Sequence, residues 1–177
     1  PLTLSLLQNL SFPLAAPSAN PFGYISPTTP EHVQQQLGTY IPYILEGGAC
    51  AVGIESTIIG FTQGQTVVYR LGGISIEDIE AVVGSVSMVK QPLNTFPSAP
   101  GGLLSHYAPT KPLRLGDLDQ LVAQYATQRV GILAFDHLHP AVNTQYQLVL
   151  SPSSNIEEAA QRLFAALRTL DALPVDV

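Results

Sequence analysis

Ser18 and Asn20, set between Pro17 and Pro21, are the first residues whose types suggest chemistry. A serine hydroxyl and an asparagine amide offer neutral donors and acceptors, suited to a phosphate, a ribose or a metal-bound water. The same pair also reads as a polar turn with a helix cap. Glu55-Ser56-Thr57 places three polar side chains inside an apolar run, where buried ones need partners; an edge strand with one wet face is the plain alternative. Strand alternation would turn Glu55 and Thr57 to one face and Ser56 to the other. Arg70, followed by Leu71-Gly72-Gly73, carries a planar guanidinium fit for two-point grip of a phosphate or carboxylate, or simply a solvated charge. His106 and Tyr107 stand on a proline-rich stretch and suit either a lid over a site or packing between two domains. His137 and His139, beside Asp136, read as surface histidines rather than metal ligands. Cys50 reads as a small buried filler, with no histidine near it in sequence to act as base. There is no Walker-type loop, no Gly-x-Ser-x-Gly elbow and no paired-cysteine zinc pattern.

The elements that must hold these residues follow from the apolar pattern. Residues 2–10 fit a strand or a helix end equally. Phe12 to Ala16 is a short apolar run read as a buried strand that enters the Pro17–Pro21 loop, the position beyond a strand end where open α/β sheets keep ligands. Thr28 or Thr29 caps a helix that takes Pro30 in its first turn, carries Glu31 at its positive end and stops near Gly38. Ile54 to Phe61 reads as a strand, joined through Gln63-Gly64-Gln65 to Thr66–Arg70 as a hairpin. Ser75, with Asp78 three residues on, caps the next helix. Prolines at 92, 97, 100, 109 and 112, with Gly101-Gly102, mark 91–112 as a linker. Beyond it come a helix over 117–125, strands at 130–135 and 147–150, and a helix over 155–170 capped by Ser153 or Ser154. Alternating strands and helices suggest a partly parallel sheet with helices packed on it.

Of the 177 residues, 46% are hydrophobic and 11% charged, enough apolar material for a core that buries about 70% of the unfolded surface. No apolar run approaches the roughly 18 residues of a membrane span, and the lone cysteine suits a reducing, cytoplasmic compartment. The net charge is −6, and no Lys or Arg precedes Arg70. A surface made of residues 1–69 therefore has no cationic side chain for a polyphosphate or RNA backbone. The chain starts at Pro1 and stops at Val177 within what reads as a strand, and both ends are expected to be cut.

Taken in order, Pro17-Ser18-Ala19-Asn20, Ser26-Pro27-Thr28, Gly53-Ile54-Glu55-Ser56-Thr57-Ile58-Ile59, Tyr69-Arg70-Leu71-Gly72-Gly73-Ile74, Pro100-Gly101 and His106-Tyr107-Ala108-Pro109 resemble the YrdC-type domain. The linker and second α/β segment resemble the longer, two-domain form of the threonylcarbamoyl-AMP synthases. The resemblance covers nearly the whole chain. It implies a YrdC-like twisted mixed sheet with helices, partial, over residues 1–90. The linker of 91–112 follows, then the first part of a small Rossmann-like α/β domain over 113–177.

The family joins L-threonine, bicarbonate or CO2 and ATP, with Mg2+ on the phosphates, into threonylcarbamoyl-AMP and pyrophosphate. A separate threonylcarbamoyl transferase then consumes the product in tRNA modification. No protein nucleophile is required. By resemblance Ser18 and Ser26 would contact the nucleotide, Arg70 its phosphates, and Asn20 the nucleotide or metal region. Ser56 would bind threonine above an apolar floor around Ala16, while His106 and Tyr107 would reach back over the site from the linker. The family's N-terminal part, with its Lys-x-Arg motif, is absent, so these 177 residues alone are expected to be inactive. Gly102-Leu103-Leu104-Ser105 also stands where many members carry Met, a basic residue and Tyr.

Two other readings compete. One is a double-stranded RNA or tRNA binding module without catalysis, against which the missing cations count. The other is the carbamoyl-adenylate chemistry of hydrogenase-maturation proteins, which the single cysteine does not support.

Overall fold

The computed structural model describes residues 2–89 and 107–177. The first element, α1 (Leu2–Gln8), resolves the ambiguity at the start of the chain in favour of a helix. Phe12 to Ala16 is not a buried strand: no strand forms there, and Phe12 and Leu14 are more than half exposed. An apolar run alone does not specify a strand; it needs a neighbour to accept its backbone bonds, and the described residues provide none here.

Helix α2 (Pro30–Leu37) begins as its sequence suggests, with the Thr29 side chain accepting the His32 amide and Pro30 in the first turn. Strand β1 (Ile58–Thr62) pairs antiparallel with β2 (Gln65–Arg70). Their two-residue turn, Gln63-Gly64, has φ of 51° and 78°, the left-handed pair whose twist matches a hairpin. β1 starts later than the apolar run does, so Glu55 and Ser56 precede the strand instead of alternating along it. Helix α3 (Ile76–Val83), capped by Ser75, crosses over so that β3 (Val86–Met88) joins β2 in parallel. The sheet order is β1-β2-β3, mixed in direction.

The second segment repeats the strand–helix logic. α4 (Leu118–Gln124) is capped by Asp117, and β4 (Ile132–Ala134) pairs in parallel with β5 (Gln147–Val149). α5 (Ile156–Ala172) follows. Its cap is Asn155, whose side chain accepts the Glu158 amide, rather than Ser153 or Ser154. Ser151 and Ser153 instead donate to the Glu158 carboxylate, an alternative that short polar side chains near a helix start readily take.

The core sits where the two segments meet. Ile25 is fully buried against Phe164 and Leu167 of α5, with Tyr24, Tyr107, Leu133 and Leu163 packed around them. Two further expectations are corrected. Cys50 is exposed rather than buried. Of the two histidines read as surface groups, His137 is 86% exposed but His139 only 10%, because it turns back to Asp119. Among the described residues no helix is long and apolar enough to cross a membrane.

Candidate functional site

The site grows from the loop after Pro17 and from the stretch before β1. Ile25 anchors the first in the core, which leaves Ser26 and Thr28 buried at 6% and 5% exposure on either side of Pro27. The second is pinned across β2: the Gly73 amide donates to the Glu55 carbonyl, and the Thr57 hydroxyl donates to the Ile74 carbonyl at 2.7 Å. Gly72 must be glycine, because a Cβ there would lie 2.2 Å from the Glu55 carbonyl oxygen. Between the two stretches lies a cavity of about 460 Å³, lined among others by Ser18, Ser26, Thr28, Glu55, Ser56 and Phe164.

Polar side chains at its rim form one connected cluster. The Ser26 hydroxyl donates to Glu55 Oε1 at 2.5 Å. The other Glu55 oxygen lies 3.5 Å from the Arg70 guanidinium, an ion pair whose side chains are 14% (Arg70) and 23% (Glu55) exposed. Arg70 donates through Nε and Nη2 to the Ser56 carbonyl at 3.1 and 2.8 Å, and through Nη2 to the Ser56 hydroxyl at 3.1 Å. Its Nη1 donates to the Tyr107 hydroxyl at 2.7 Å. Burial first, and then the Glu55 carboxylate, push the Tyr107 phenol above its ordinary value against the opposing pull of Arg70. The Tyr107 ring stacks on Phe164, with centroids 6.0 Å apart.

This arrangement has a chemical consequence for Ser26. With its proton committed to Glu55, the hydroxyl shows a ligand only lone pairs. It is thus set to accept from a ribose hydroxyl, an amine or a metal-bound water rather than to donate to a phosphate oxygen. Anion recognition falls to Arg70, the one cation of the cluster.

Of the residues singled out from sequence, Ser18, Ser26 and Ser56 line the cavity, while Arg70 and Tyr107 join at its rim. Asn20 lies outside the lining: its Nδ2 donates to the Pro21 and Tyr24 carbonyls, each at 3.0 Å. Its Oδ1 is buried and finds no donor among the described residues. Ala16 is exposed and also outside the lining. His106 lies outside the described residues.

Sequence reasoning passed over two members. Glu55 was visible as a polar residue in an apolar run but was given no task. Phe164 lies 94 positions after Arg70 and fits the apolar stripe of α5, so nothing local separates it from core packing. Among the described residues no group of three or more His, Cys, Asp or Glu could hold a metal ion. A second cavity of about 410 Å³ sits among α4, β4 and α5. Leucines and valines dominate it, and its polar lining residues are bonded in pairs, Lys111 with Asp171 and Arg114 with Tyr125.

Comparison with known proteins bears on the same two segments. The family described as "Threonylcarbamoyl-AMP synthase, C-terminal domain" matches residues 74–177. The Sua5/YciO/YrdC family, described as "Telomere recombination", matches residues 1–72. The chain is 36% identical to a threonylcarbamoyl-AMP synthase of Bacillus subtilis over 185 residues, spanning 99% of this chain and 54% of that protein. It is 31% identical to one of Pyrococcus abyssi, again spanning 54% of that protein. The chain therefore spans about half the length of these curated relatives.

Two solved structures share the fold. The crystal structure of P. abyssi Sua5 complexed with L-threonine has a TM-score of 0.77 at 32% identity, covering 92% of this chain and 50% of that one. A form of P. abyssi Sua5 with an adjacent histidine and tyrosine both changed to alanine has a TM-score of 0.80 at 29% identity, covering 99% of this chain and 53% of that one. With a match over more than half its residues and relatives aligned along 99% of its length, the chain belongs to the threonylcarbamoyl-AMP synthase family of Sua5/YrdC proteins.

Proposed function

We propose that the protein carrying this chain is an L-threonylcarbamoyladenylate synthase, a nucleotidyltransferase that makes threonylcarbamoyl-AMP and pyrophosphate from L-threonine, bicarbonate or CO2, and ATP. The observation that carries the reading is the cluster at the cavity rim, where Arg70 is fixed beside the Ser56 hydroxyl by Glu55 and Tyr107. A cation steadied by one carboxylate and set among neutral hydroxyls suits a ligand set of one anionic nucleotide and one amino acid. The P. abyssi relative complexed with L-threonine supports an amino-acid pocket.

The chemistry asks little covalent help of the protein. The threonine amine nitrogen bonds to the carbon of CO2 as one C=O π pair moves onto oxygen, and the nitrogen gives up a proton to water, forming a carbamate. A carbamate oxygen then bonds to the α-phosphorus of ATP while the bond from that phosphorus to the bridging oxygen breaks, and its electron pair leaves with pyrophosphate. The protein's part is to hold the reactants in line and balance developing charge. In this scheme Arg70 binds phosphate oxygens, Ser56 orients threonine, and Ser18 and Ser26 accept from the nucleotide's sugar or from water on the magnesium that ATP brings with it.

Asn20, with its amide nitrogen tied to the turn, would support the same region from behind. Tyr107, and His106 before it, would close the rim; the adjacent histidine and tyrosine altered in one P. abyssi structure have the same order. The product is a mixed anhydride, which a threonylcarbamoyl transferase would pass to a tRNA adenosine. The alternative of an RNA-binding module is the weaker one, since residues 1–69 contain no Lys or Arg.

The test is product formation by the full-length protein given ATP, magnesium, L-threonine and labelled bicarbonate, followed by mass spectrometry. Threonylcarbamoyl-AMP that requires threonine, and that is lost on Ser56→Ala or Arg70→Ala, is the expected result. No product from a folded protein would overturn the reading.

A further inference from the structure

Helix α5 belongs to the second segment, yet one stripe of it faces the site. Gln161, Phe164 and Arg168 recur at helical spacing. A Cβ on Gly53 would fall 1.9 Å from the Gln161 carbonyl oxygen, so the loop before Glu55 rests directly on the helix backbone. Phe164 supplies cavity wall and stacks on Tyr107.

Arg168, one turn further on, is buried at 8% exposure and forms no ion pair among the described residues. Its guanidinium donates to the carbonyls of Ile25 and Ser26 and, at 2.9 Å, to Gln36 Oε1. It lies 4.9 Å from the centre of the Tyr24 ring, and Tyr24 in turn donates to Asp171 at 2.8 Å. Burial pulls the guanidinium below its ordinary value.

A buried charge paired only with neutral groups is a poor way to gain stability, since desolvation opposes it. What this one does is positional. A planar fork bonded to two successive carbonyls fixes the peptide between Ile25 and Ser26, and with it the direction in which the Ser26 hydroxyl leaves the backbone. That hydroxyl is the one that reaches Glu55 at 2.5 Å.

We propose that Arg168 is a positioning residue for the nucleotide side of the site, acting from α5 through the Ser26 backbone. The second segment is then a working part of the site rather than an appendage. The proposal rests on the synthase reading for the ligand, but not for the contact itself.

The experiment is a double-mutant cycle in the full-length protein, combining Arg168→Lys with Ser26→Ala, read by KM for ATP and by hydrogen exchange over residues 24–28. Lysine keeps the charge but cannot bridge three acceptors in one plane. We expect Arg168→Lys to speed exchange at 24–28 and to raise the ATP KM about tenfold with kcat within about twofold, an effect that shrinks to less than about twofold in the Ser26→Ala background. A purely structural role would instead give the same factor in both backgrounds, and that outcome would overturn the proposal. So would unchanged exchange at 24–28. Should Arg168→Lys fail to fold, Gln36→Ala removes one of the three acceptors and is expected to give a smaller change of the same kind; its absence counts against the proposal. Faster exchange in a protein that makes no product would sink the synthase reading while supporting the hold of Arg168 on Ser26.

Discussion

Arg70 divides its donors among Ser56, Glu55 and Tyr107, so the direction of its charge depends on its neighbours as well as on any ligand. Tyr107→Phe tests that dependence. It removes the hydroxyl that takes Nη1 and keeps the ring that stacks on Phe164. We expect a loss of about 1 kcal/mol in nucleotide affinity, seen as a roughly fivefold higher ATP KM, with the melting temperature lowered by no more than about 4 °C. An unchanged KM would mean that the phenol does not orient Arg70.

Asp171 is a second residue whose weight lies in what it holds. Burial alone would raise its carboxyl, but the amides of Lys111 and Thr110 and the hydroxyls of Tyr24 and Thr110 outweigh burial and keep it below its ordinary 3.8. A lowered folded value means that the unfolded chain binds the proton more readily. The stabilisation is therefore fully present above about pH 3.8 and is lost as the pH falls through the lowered value. Asp171→Asn is expected to cost about 2 kcal/mol at pH 7, with the gap to wild type narrowing as the pH falls through the lowered value, as urea unfolding at pH 7 and at successive steps below pH 3.8 would show. At this scale the sequence was readable where a residue type stands out locally, as with Ser56 beside Thr57 or Arg70 as the first cation. Glu55 and Arg168 were not readable as parts of a site, because their tasks are defined by partners 29 and 142 positions away.

Elements were legible where their ends carry chemistry of their own. Thr29 with Pro30, Ser75 with Asp78, and Gln63-Gly64 each satisfy backbone groups locally and needed no partner from elsewhere. Phe12–Ala16 shows the opposite case, an apolar run with no such punctuation. The contact between α5 and the loop before Glu55 belongs to a third kind, set by two backbones in close approach. Gly53 has φ of 76° and sits against Gln161, whereas Gly48 has φ of 81° with nothing within 4 Å of the Cβ it lacks. The pair separates two effects. Gly48→Ala should cost only the left-handed backbone penalty, about 1–2 kcal/mol. Gly53→Ala should cost about 2 kcal/mol more, because the helix or the loop must move to admit the methyl group. Since that movement shifts Glu55 and Phe164 apart, it should also weaken ATP binding, while Gly48→Ala should not. Thermal melts and nucleotide titrations of both variants decide this, and equal stability losses would show that α5 does not press on the site loop.

Across the whole molecule, charge sets the terms. The seven cations are Arg70 and six that follow it in sequence. Lys111 is tied to the Asp171 and Leu173 carbonyls, Arg114 to Tyr125, Arg129 to Asp176, Arg162 to Glu158 and Arg168 to the Ile25 and Ser26 carbonyls. Each of these is bonded within the fold, and Arg168 meets the site only through the Ser26 backbone; Lys90 lies outside the described residues. A triphosphate with its magnesium still carries about two negative charges at neutral pH. Near a protein surface an unbalanced charge 4 Å away is worth about 4 kcal/mol, so a site whose one cation among the described residues is Arg70 holds such a ligand poorly. Relatives about twice as long have room for further cations that these 177 residues lack. The 177-residue chain alone is therefore expected to bind ATP at least about 100-fold more weakly than a protein of its relatives' full length, a difference of about 2.7 kcal/mol. It should form no detectable threonylcarbamoyl-AMP under conditions where the longer protein does. Calorimetric titration of both with ATP and magnesium, at low and raised salt, measures this directly. The longer protein's affinity should fall more steeply with salt, because more of its binding is charge neutralisation. Equal affinity and equal salt dependence would mean that Arg70 and the neutral hydroxyls suffice, and that the cavity between Ser26 and Ser56 is a complete nucleotide site.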